Sequence, residues 1–354
     1  MLGTLPDSQK IKLSIVLPLR NQDQLQQLLA SLYDPASPNY RKFLSVEDFT
    51  SQFGPTDDDF QEVLQFANAN GLTVTGQPRN RVAVSVEGTV AQVNSAFHVQ
   101  MREYQHPTEN RTFYAPDREP SVAVRARIAH ISGFDNLILP RRVGGSVSMS
   151  AATPEVSGSG PGGSYLGSDI RAAYYRGSAP TGLNQTVGLF ELFGYAQSDV
   201  DQSFSSAGQT YSVPLDTILV AGAQNARVDE DVEDVLDIVA VIGMAPGLSA
   251  VQVYIGDYNE DSAPTAVLNQ MAADNTSNVI SVSYYWYEDS PSANEALFQT
   301  EEPILQEMAA QGQTFFTGSG DSGAYQPAQG TRHSRCVWWL RCRFVVRMIG
   351  VRRA

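Results

Sequence analysis

An acidic stretch in the middle of the chain carries the first candidates for chemistry. Residues 229–247 read DEDVEDVLDIVAVIGMAPG, and their apolar spacing predicts a helix. The predicted buried stripe of that helix consists of Val232, Val235, Leu236 and Val239. Glu233 and Asp237 are four residues apart on the flank of this stripe, so they share one face. Half-buried carboxyls repel each other, and the repulsion raises the pKa of one of them, which makes it a proton acceptor suited to acid.

Spacing alone does not single out this pair. Positions 229/233 and 230/234 are also four residues apart and acidic. A solvated acidic face is a common start for a helix, because acidic side chains there complement the helix dipole. The spacing therefore does not decide between a catalytic pair and a solvated face.

A glycine-rich turn, FFTGSGDSGAY at 315–325, is the second candidate. Gly320 permits close approach of the backbone, and a protonated Asp321 could donate a hydrogen bond to a developing oxyanion. An Asx turn is the commoner role of such an aspartate. The GDSGA string resembles the nucleophile segment of chymotrypsin-like proteases and nominates Ser322. That chemistry needs a histidine base, and the histidines lie at positions 98, 106, 130 and 333.

A strand that ends in aromatic residues, SVSYYWYEDS at 281–290, is the third candidate. Ser283 and Trp286 could line a groove that pairs with an extended peptide. Packing in the core is the more frequent role of aromatic residues at this spacing.

The second half of the chain alternates apolar runs with helical patterns. Strands are predicted at 186–192, 217–222, 250–256, 278–285 and 313–320, and helices beginning near 198, 229, 263 and 292. Continuous apolar strands with intervening helices predict a parallel sheet covered on both faces. Functional groups then belong at the carboxyl ends of its strands.

The sequence patterns in the first half of the chain predict a small α+β domain. Helices are expected at 22–34 and 57–71, and strands at 13–19, 72–76 and 81–88. Thr89 with Gln92 three residues later forms a capping-box pattern. The stretch 140–164 is rich in Gly, Ser and Pro, and therefore predicts a linker between two domains.

Composition narrows the class of protein. The 354 residues suffice for about two domains, and a formal net charge of -14 argues against a nucleic-acid partner. The sequence has no uninterrupted apolar stretch long enough to span a membrane, and no signal-peptide pattern at its start. The last 24 residues differ from the rest, since they hold seven Arg, no acidic residue, and both cysteines, Cys336 and Cys342.

Taken together, the motifs resemble the sedolisin family of serine-carboxyl peptidases, in particular its kumamolisin-like group. The resemblance rests on DPASPNYRKFL, VEGTVAQVNSAFHVQMREY, EDVLDIVAVIGMAPG, VISVSYYW and SGSGDSG. It implies a ferredoxin-like α+β activation propeptide followed by an incomplete α/β subtilisin-like domain with a parallel sheet. The expected boundaries are a propeptide at 1–139, a linker with the processing site at 140–164, a partial peptidase domain at 165–329 and an aberrant tail at 330–354.

The same resemblance implies an acid-active, secreted endopeptidase made as an autoprocessed zymogen. Its expected partners are protein or peptide substrates and its own propeptide, with acid releasing the propeptide by protonating carboxylates. The implied site residues are Glu233 as general base, Asp237 as its orienting partner, Asp321 in the oxyanion hole, and Ser283, Trp286 and Gly320 in substrate binding.

The sequence departs from the family pattern at its carboxyl end. It contains no Gly-Thr-Ser motif, which holds the family's nucleophile, so we expect a truncated and inactive chain. Calcium is expected for the complete family domain, but the ligands of that site are missing here. The alternative is a non-catalytic inhibitor or chaperone that contains the propeptide.

Overall fold

The computed structural model describes residues 1–142, 157–175, 178–225, 232–285, 291–318, 326–328 and 331–334. Residues 1–142 are called the amino-terminal segment below, and the described residues from 157 onward the carboxyl-terminal segment. No helix among the described residues is long and apolar enough to cross a membrane.

The amino-terminal segment mixes helices with antiparallel strands. Its helices are α1 (Gln22–Tyr33), α2 (Val46–Gln52), α3 (Asp57–Ala69) and α4 (Val90–Phe97). Its strands are β1 (Gly3–Thr4), β2 (Lys10–Val16), β3 (Thr73–Gly76), β4 (Ala83–Thr89), β5 (Met101–Gln105), β6 (Thr112–Pro116), β7 (His130–Ser132) and β8 (Arg141–Arg142).

Four of these strands form an antiparallel sheet in the order β3-β4-β2-β7, and β1, β5 and β6 form a smaller one. Along the chain the larger sheet follows a β–α–β–β–α–β path, which suits two helices packing on one face. The capping box is confirmed, since the Thr89 side chain and Gln92 cap each other at the start of α4. Gly71, just past α3, adopts a φ of 71°, which favours glycine.

One local prediction was imprecise in this segment, and one helix was not predicted. The strand expected at 13–19 lies at β2, because Pro18 has no N–H for continued pairing. Helix α2 was not predicted, although Ser45 caps it by accepting a hydrogen bond from Asp48 N at 3.0 Å. A helix of only seven residues gives too short a pattern for periodicity to reveal.

The carboxyl-terminal segment alternates strands and helices as predicted. Its helices are α5 (Gly167–Tyr174), α6 (Gln197–Ser206), α7 (Val232–Met244), α8 (Ala263–Asp274) and α9 (Pro291–Gln311). Its strands are β9 (Thr186–Glu191), β10 (Leu215–Leu219), β11 (Ala250–Ile255), β12 (Val279–Val282), β13 (Tyr284–Tyr285), β14 (Thr314–Thr317), β15 (Gln326–Ala328) and β16 (Thr331–Ser334).

The predicted parallel sheet is confirmed. Its order is β10-β11-β9-β12-β14, and every pairing between these neighbours is parallel. All five strands therefore end at the same edge, with β9 in the middle. At that edge Gly318 N donates to Val282 O at 3.3 Å, so β12 and β14 end side by side.

The two segments share one hydrophobic core. Ile304 and Met308 of α9 belong to the same buried cluster as Leu25 and Leu29 of α1 and Phe49 of α2. The amino-terminal segment thus covers apolar faces of α8 and α9, and separating the segments would expose that surface to water.

Candidate active site

The carboxyl end of the central strand β9 carries a buried acidic side chain. Glu191 is the last residue of β9 and the one ionisable residue in its TVGLFE sequence, and it has no exposure to solvent. No hydrogen-bond donor among the described residues reaches either of its carboxyl oxygens. A buried carboxyl without donors is stable only when it holds a proton, which it can share with a neighbouring acid.

The first turns of α7 bring three more carboxyls to Glu191. Glu233 is 8% exposed and Asp234 is fully buried, while Asp237 is partly buried one turn later. Asp234 and Asp237 both lie close enough to share a proton with Glu191, and the charge of Glu233 acts on it as well. Glu191, Glu233, Asp234 and Asp237 are called the acid cluster below. Because these carboxyls are buried or partly buried, this part of α7 is not a solvated acidic face.

The predicted packing face of α7 was wrong in part. Leu236, expected in the buried stripe, is 54% exposed, whereas Ile238 and Ile242 are fully or almost fully buried. The acid cluster lies against the sheet edge, and this turns α7 so that Asp234 and Ile238, four residues apart, face inward. The side chain of Val232 lies outside the described residues.

Ser283 joins the acid cluster from the neighbouring strand. It lies between β12 and β13, and its Oγ donates to Asp237 Oδ2 at 2.6 Å. The hydroxyl predicted to bind substrate therefore holds a carboxylate of the cluster. The next residue, Tyr284, is fully buried and makes an edge-to-face contact with Phe190 at 5.9 Å, so it packs in the core.

Burial dominates the electrostatics of the cluster. Loss of water raises the pKa of Glu191 well above its ordinary value, and the charges of Asp234, Asp237 and Glu233 raise it further. Burial also raises the pKa of Asp237, although hydrogen bonds from Ser283 and Glu191 act in the opposite direction. These effects favour the protonated form of Glu191, and Asp237 lies beside it as a hydrogen-bond acceptor.

The structure brings together three of the predicted site residues, Glu233, Asp237 and Ser283. The other three, Asp321, Gly320 and Trp286, lie outside the described residues, as does Ser322. Their predicted roles stay predictions.

Sequence analysis missed Glu191 and Asp234. The signal for Glu191 was its charge inside the apolar run TVGLFEL, because a parallel strand buried on both faces normally contains no ionisable side chain. Asp234 had only its position in the acidic stretch, which gave no reason to prefer it over its neighbours.

The described residues do not fit a metal site. No group of three or more His, Cys, Asp or Glu side chains is placed to hold an ion in the part of the chain that the structure covers. The calcium expected for a complete family domain stays an expectation, and we assign no step to it.

The amino-terminal segment ends against this site. Strand β8 pairs antiparallel with β13, with Arg142 opposite Tyr284 and Arg141 opposite Tyr285. The chain that leaves the amino-terminal segment thus lies as an extended strand beside the residue that follows Ser283. An extended peptide can bind at this edge by backbone pairing.

Comparisons with known proteins find one group of related peptidases. Residues 1–137 match the family described as "Pro-kumamolisin, activation domain". The chain is similar to sedolisin from Pseudomonas sp. (strain 101), at 30% identity over 88% of this chain and 54% of that protein. It is also similar to kumamolisin from Bacillus sp. (strain MN-32), at 28% identity over 91% of this chain and 59% of that protein.

Among solved structures, the chain is similar to Pseudomonas sedolisin, a serine-carboxyl proteinase, complexed with two molecules of pseudo-iodotyrostatin. The identity is 32% and the TM-score 0.38, over 45% of this chain and 46% of that chain. The chain spans about half the length of the curated relatives that it matches.

Proposed function

Because the chain belongs to the sedolisin family of serine-carboxyl peptidases, we propose that it is part of an acid-active endopeptidase precursor that processes itself. The acid cluster carries this proposal. It places Glu233 and Asp237 on neighbouring turns of α7 at the carboxyl edge of the sheet, with one proton already held by Glu191. A carboxyl base in such surroundings can still accept a proton in acid, where a histidine would already be charged.

In the proposed reaction, Glu233 takes the proton of a serine hydroxyl as the serine oxygen attacks the carbonyl carbon of the peptide. The proton then passes to the leaving amine, the acyl-enzyme forms, and water hydrolyses it with Glu233 acting as base again. Asp237 orients Glu233, and Asp321 would donate to the oxyanion. Ser283 keeps Asp237 in place through its 2.6 Å hydrogen bond, while Trp286 and Gly320 would contact substrate.

The amino-terminal segment serves in this proposal as a ferredoxin-like propeptide of about residues 1–139. Its β–α–β–β–α–β path supports that assignment. Strand β8, at the start of the linker at 140–164, occupies the edge of β13 where we expect substrate. In this proposal the uncut linker therefore blocks the site until it is cleaved. We place the peptidase domain, subtilisin-like in type, at 165–329, and the site of action outside the cell.

We infer from the sequence pattern that the nucleophile does not lie within these 354 residues. The sequence has no Gly-Thr-Ser motif, and its tail at 330–354 changes to an Arg-rich composition. We therefore propose that the 354 residues alone do not cleave peptides, and that hydrolysis needs the remaining length of the relatives.

Intact mass measurement at pH 4 tests this proposal. The chain continued to the length of its relatives should cut itself within the linker, and the 354-residue chain should stay intact. Replacing Ser322 with Ala in the longer protein should leave processing unchanged. Self-cleavage by the 354-residue chain that disappears in Ser322→Ala or Ser283→Ala would place the nucleophile in this chain and overturn the proposal.

A second function, inhibition of a complete relative, is favoured by the pairing of β8 with β13. A chain without its own nucleophile could act in trans as inhibitor or chaperone. Adding the 354-residue chain to an active sedolisin at pH 4 should then lower the rate in proportion to occupancy. An unchanged rate at micromolar chain would remove this alternative.

A further inference from the structure

The contact between the propeptide and helices α8 and α9, called the seam below, contains a buried polar lock. The lock consists of Asn80 of the propeptide, Asn269 of α8, and Glu307 and Gln311 of α9. Asn80 Nδ2 donates to Asn269 Oδ1 at 2.7 Å and to Glu307 Oε2 at 2.8 Å. Gln311 Nε2 donates to Glu307 Oε1 at 2.7 Å. Asn80, Asn269 and Glu307 have no exposure to solvent.

The propeptide is what keeps water from this lock. Tyr33 Oη donates to Ala309 O at 2.9 Å, and Leu44 N donates to Ala310 O at 2.9 Å, so propeptide residues cover the end of α9. Departure of the propeptide would remove both Asn80 and this cover. Glu307 would then lose the amide donor of Asn80 and meet water.

Arg79, whose positive charge acts on Glu307, is engaged elsewhere. Arg79 Nε donates to Ala273 O at 2.7 Å, and its Nη2 donates to Asp274 O at 3.0 Å. Its Nη1 pairs with Glu47 at 2.9 Å. Arg79 therefore caps the end of α8 rather than pairing with Glu307, and the lock relies on amide groups.

A proton on Glu307 suits these surroundings. Burial raises the pKa of Glu307 to about 8, against smaller opposite effects of Asn80, Gln311 and Arg79. A neutral carboxyl must donate its proton, and Gln311 Oε1 has no hydrogen-bond partner among the described residues. Turning the Gln311 amide, whose two ends have nearly the same shape, lets that oxygen accept the proton of Glu307.

A second part of the seam is also rich in acids. Gly133 N donates to Asp261 Oδ2 at 3.2 Å, and Lys12 Nζ pairs with Asp257 at 3.2 Å. The titratable groups that act here are Lys12, Glu87, Tyr114, His130, Asp135, Asp257, Glu260 and Asp261. Burial raises the pKa of Asp261 to about 8 and that of Glu260 to about 7. Both residues are partly exposed, so solvent screening reduces their contribution.

We propose that the seam takes up protons when it closes, so that the propeptide is held more tightly in acid than near pH 8. The identification of one side of the seam as a propeptide and of the other as a peptidase domain rests on the proposed function. The lock and its proton do not. The closed seam binds more protons than the open one, because water returns the pKa of Glu307 toward its ordinary value of 4.5. The closed form is therefore favoured fully below that value and loses this stabilisation as pH rises toward about 8.

This direction is opposite to the sequence-based expectation that acid loosens the propeptide. That expectation assumed carboxylates paired with cations, and the pair of Lys12 with Asp257 fits it. Glu307 is buried among amides instead, and protonation favours its burial. Acid would then release the propeptide through cleavage of the linker and not by weakening the seam.

Hydrogen exchange of the full chain between pH 5 and pH 8.5 tests the inference. Exchange rates are divided by those of unfolded peptides at each pH. Protection of peptides that cover residues 77–82 and 304–312 should fall by up to about tenfold per pH unit while Glu307 titrates. Peptides from β11 report the stability of the whole chain, and their protection should fall less steeply than that of the seam. Constant or rising protection of the seam with pH in the wild-type chain would overturn the inference, and this series needs no variant.

Two variants sharpen the result. Glu307→Gln keeps an acceptor for Asn80 but has no proton to lose, so its seam protection should depend less steeply on pH than that of the wild type. Asn80→Asp places a second carboxyl beside Glu307 and should steepen the loss above pH 5. Asp58→Asn, an exposed acid of α3, is the control and should behave as wild type. An unchanged pH slope in Glu307→Gln would assign the protons elsewhere and overturn the role of the lock. Because none of these readouts uses peptide cleavage, they stand or fall apart from the proposed function.

Discussion

Replacing Glu233 with Gln is expected to lower kcat for peptide hydrolysis by about 10²–10⁴-fold, the usual contribution of a positioned general base. Gln has nearly the shape of Glu but cannot take the proton of a serine hydroxyl. The loss should therefore appear in kcat at every pH where the wild type is active, with little change in KM. The measurement is steady-state hydrolysis of a peptide between pH 3 and pH 7 by the protein continued to the length of its relatives.

Two comparisons make this result specific to Glu233. Asp58→Asn removes an exposed acid from the first turn of α3, far in the sequence from the acid cluster, and should leave kcat within about twofold. A Glu233→Gln protein that kept more than a tenth of the wild-type kcat would remove Glu233 as the base. If Asp234→Asn alone abolished hydrolysis, the base would be the neighbouring residue, which is also buried.

The parallel sheet was predictable because its strands are apolar along their whole length. A run such as AVQVYIG has no polar face, so it fits only a strand covered on both sides, and the structure places it at β11 between β10 and β9. The short strands were harder to predict from the sequence. Strands β5 and β6 contain MREYQ and TFYAP, whose partly exposed residues give no clear alternation.

The acid pair could be nominated from sequence, but its surroundings could not. Four-residue spacing places Glu233 and Asp237 on one face of any helix, whether that face is exposed to solvent or buried. What decides their chemistry is Glu191, which lies 42 positions before Glu233 in the numbering and reaches the pair only through the parallel sheet. The buried face of α7 was predicted in part wrongly for the same reason. A helix that buries carboxyls does not turn its apolar stripe fully toward the core.

Replacing Glu191 with Gln is expected to stabilise the 354-residue chain at pH 8 and to change its stability little at pH 5. The folded chain raises the pKa of Glu191, so the wild type loses stability as pH rises and the buried carboxyl is forced to ionise. An uncompensated buried charge costs a few kcal/mol, which at about 2–4 °C per kcal/mol is several degrees in Tm. Thermal unfolding at the two pH values measures this, and a Tm difference that does not depend on pH would contradict it.

A pair of substitutions at Glu191 also separates charge from hydrogen bonding. Protonated Glu191 donates to Asp237 and so lowers the pKa of Asp237, an effect that the amide of Gln can reproduce and the side chain of Leu cannot. Glu191→Leu should therefore raise the pKa of Asp237 and move the acid limb of the kcat/KM profile to higher pH, while Glu191→Gln keeps it near the wild-type position. If both variants moved the limb equally, loss of the hydrogen bond from Glu191 to Asp237 would not explain the shift. The proton held at the end of β9 would then have no part in setting the pH range of the reaction.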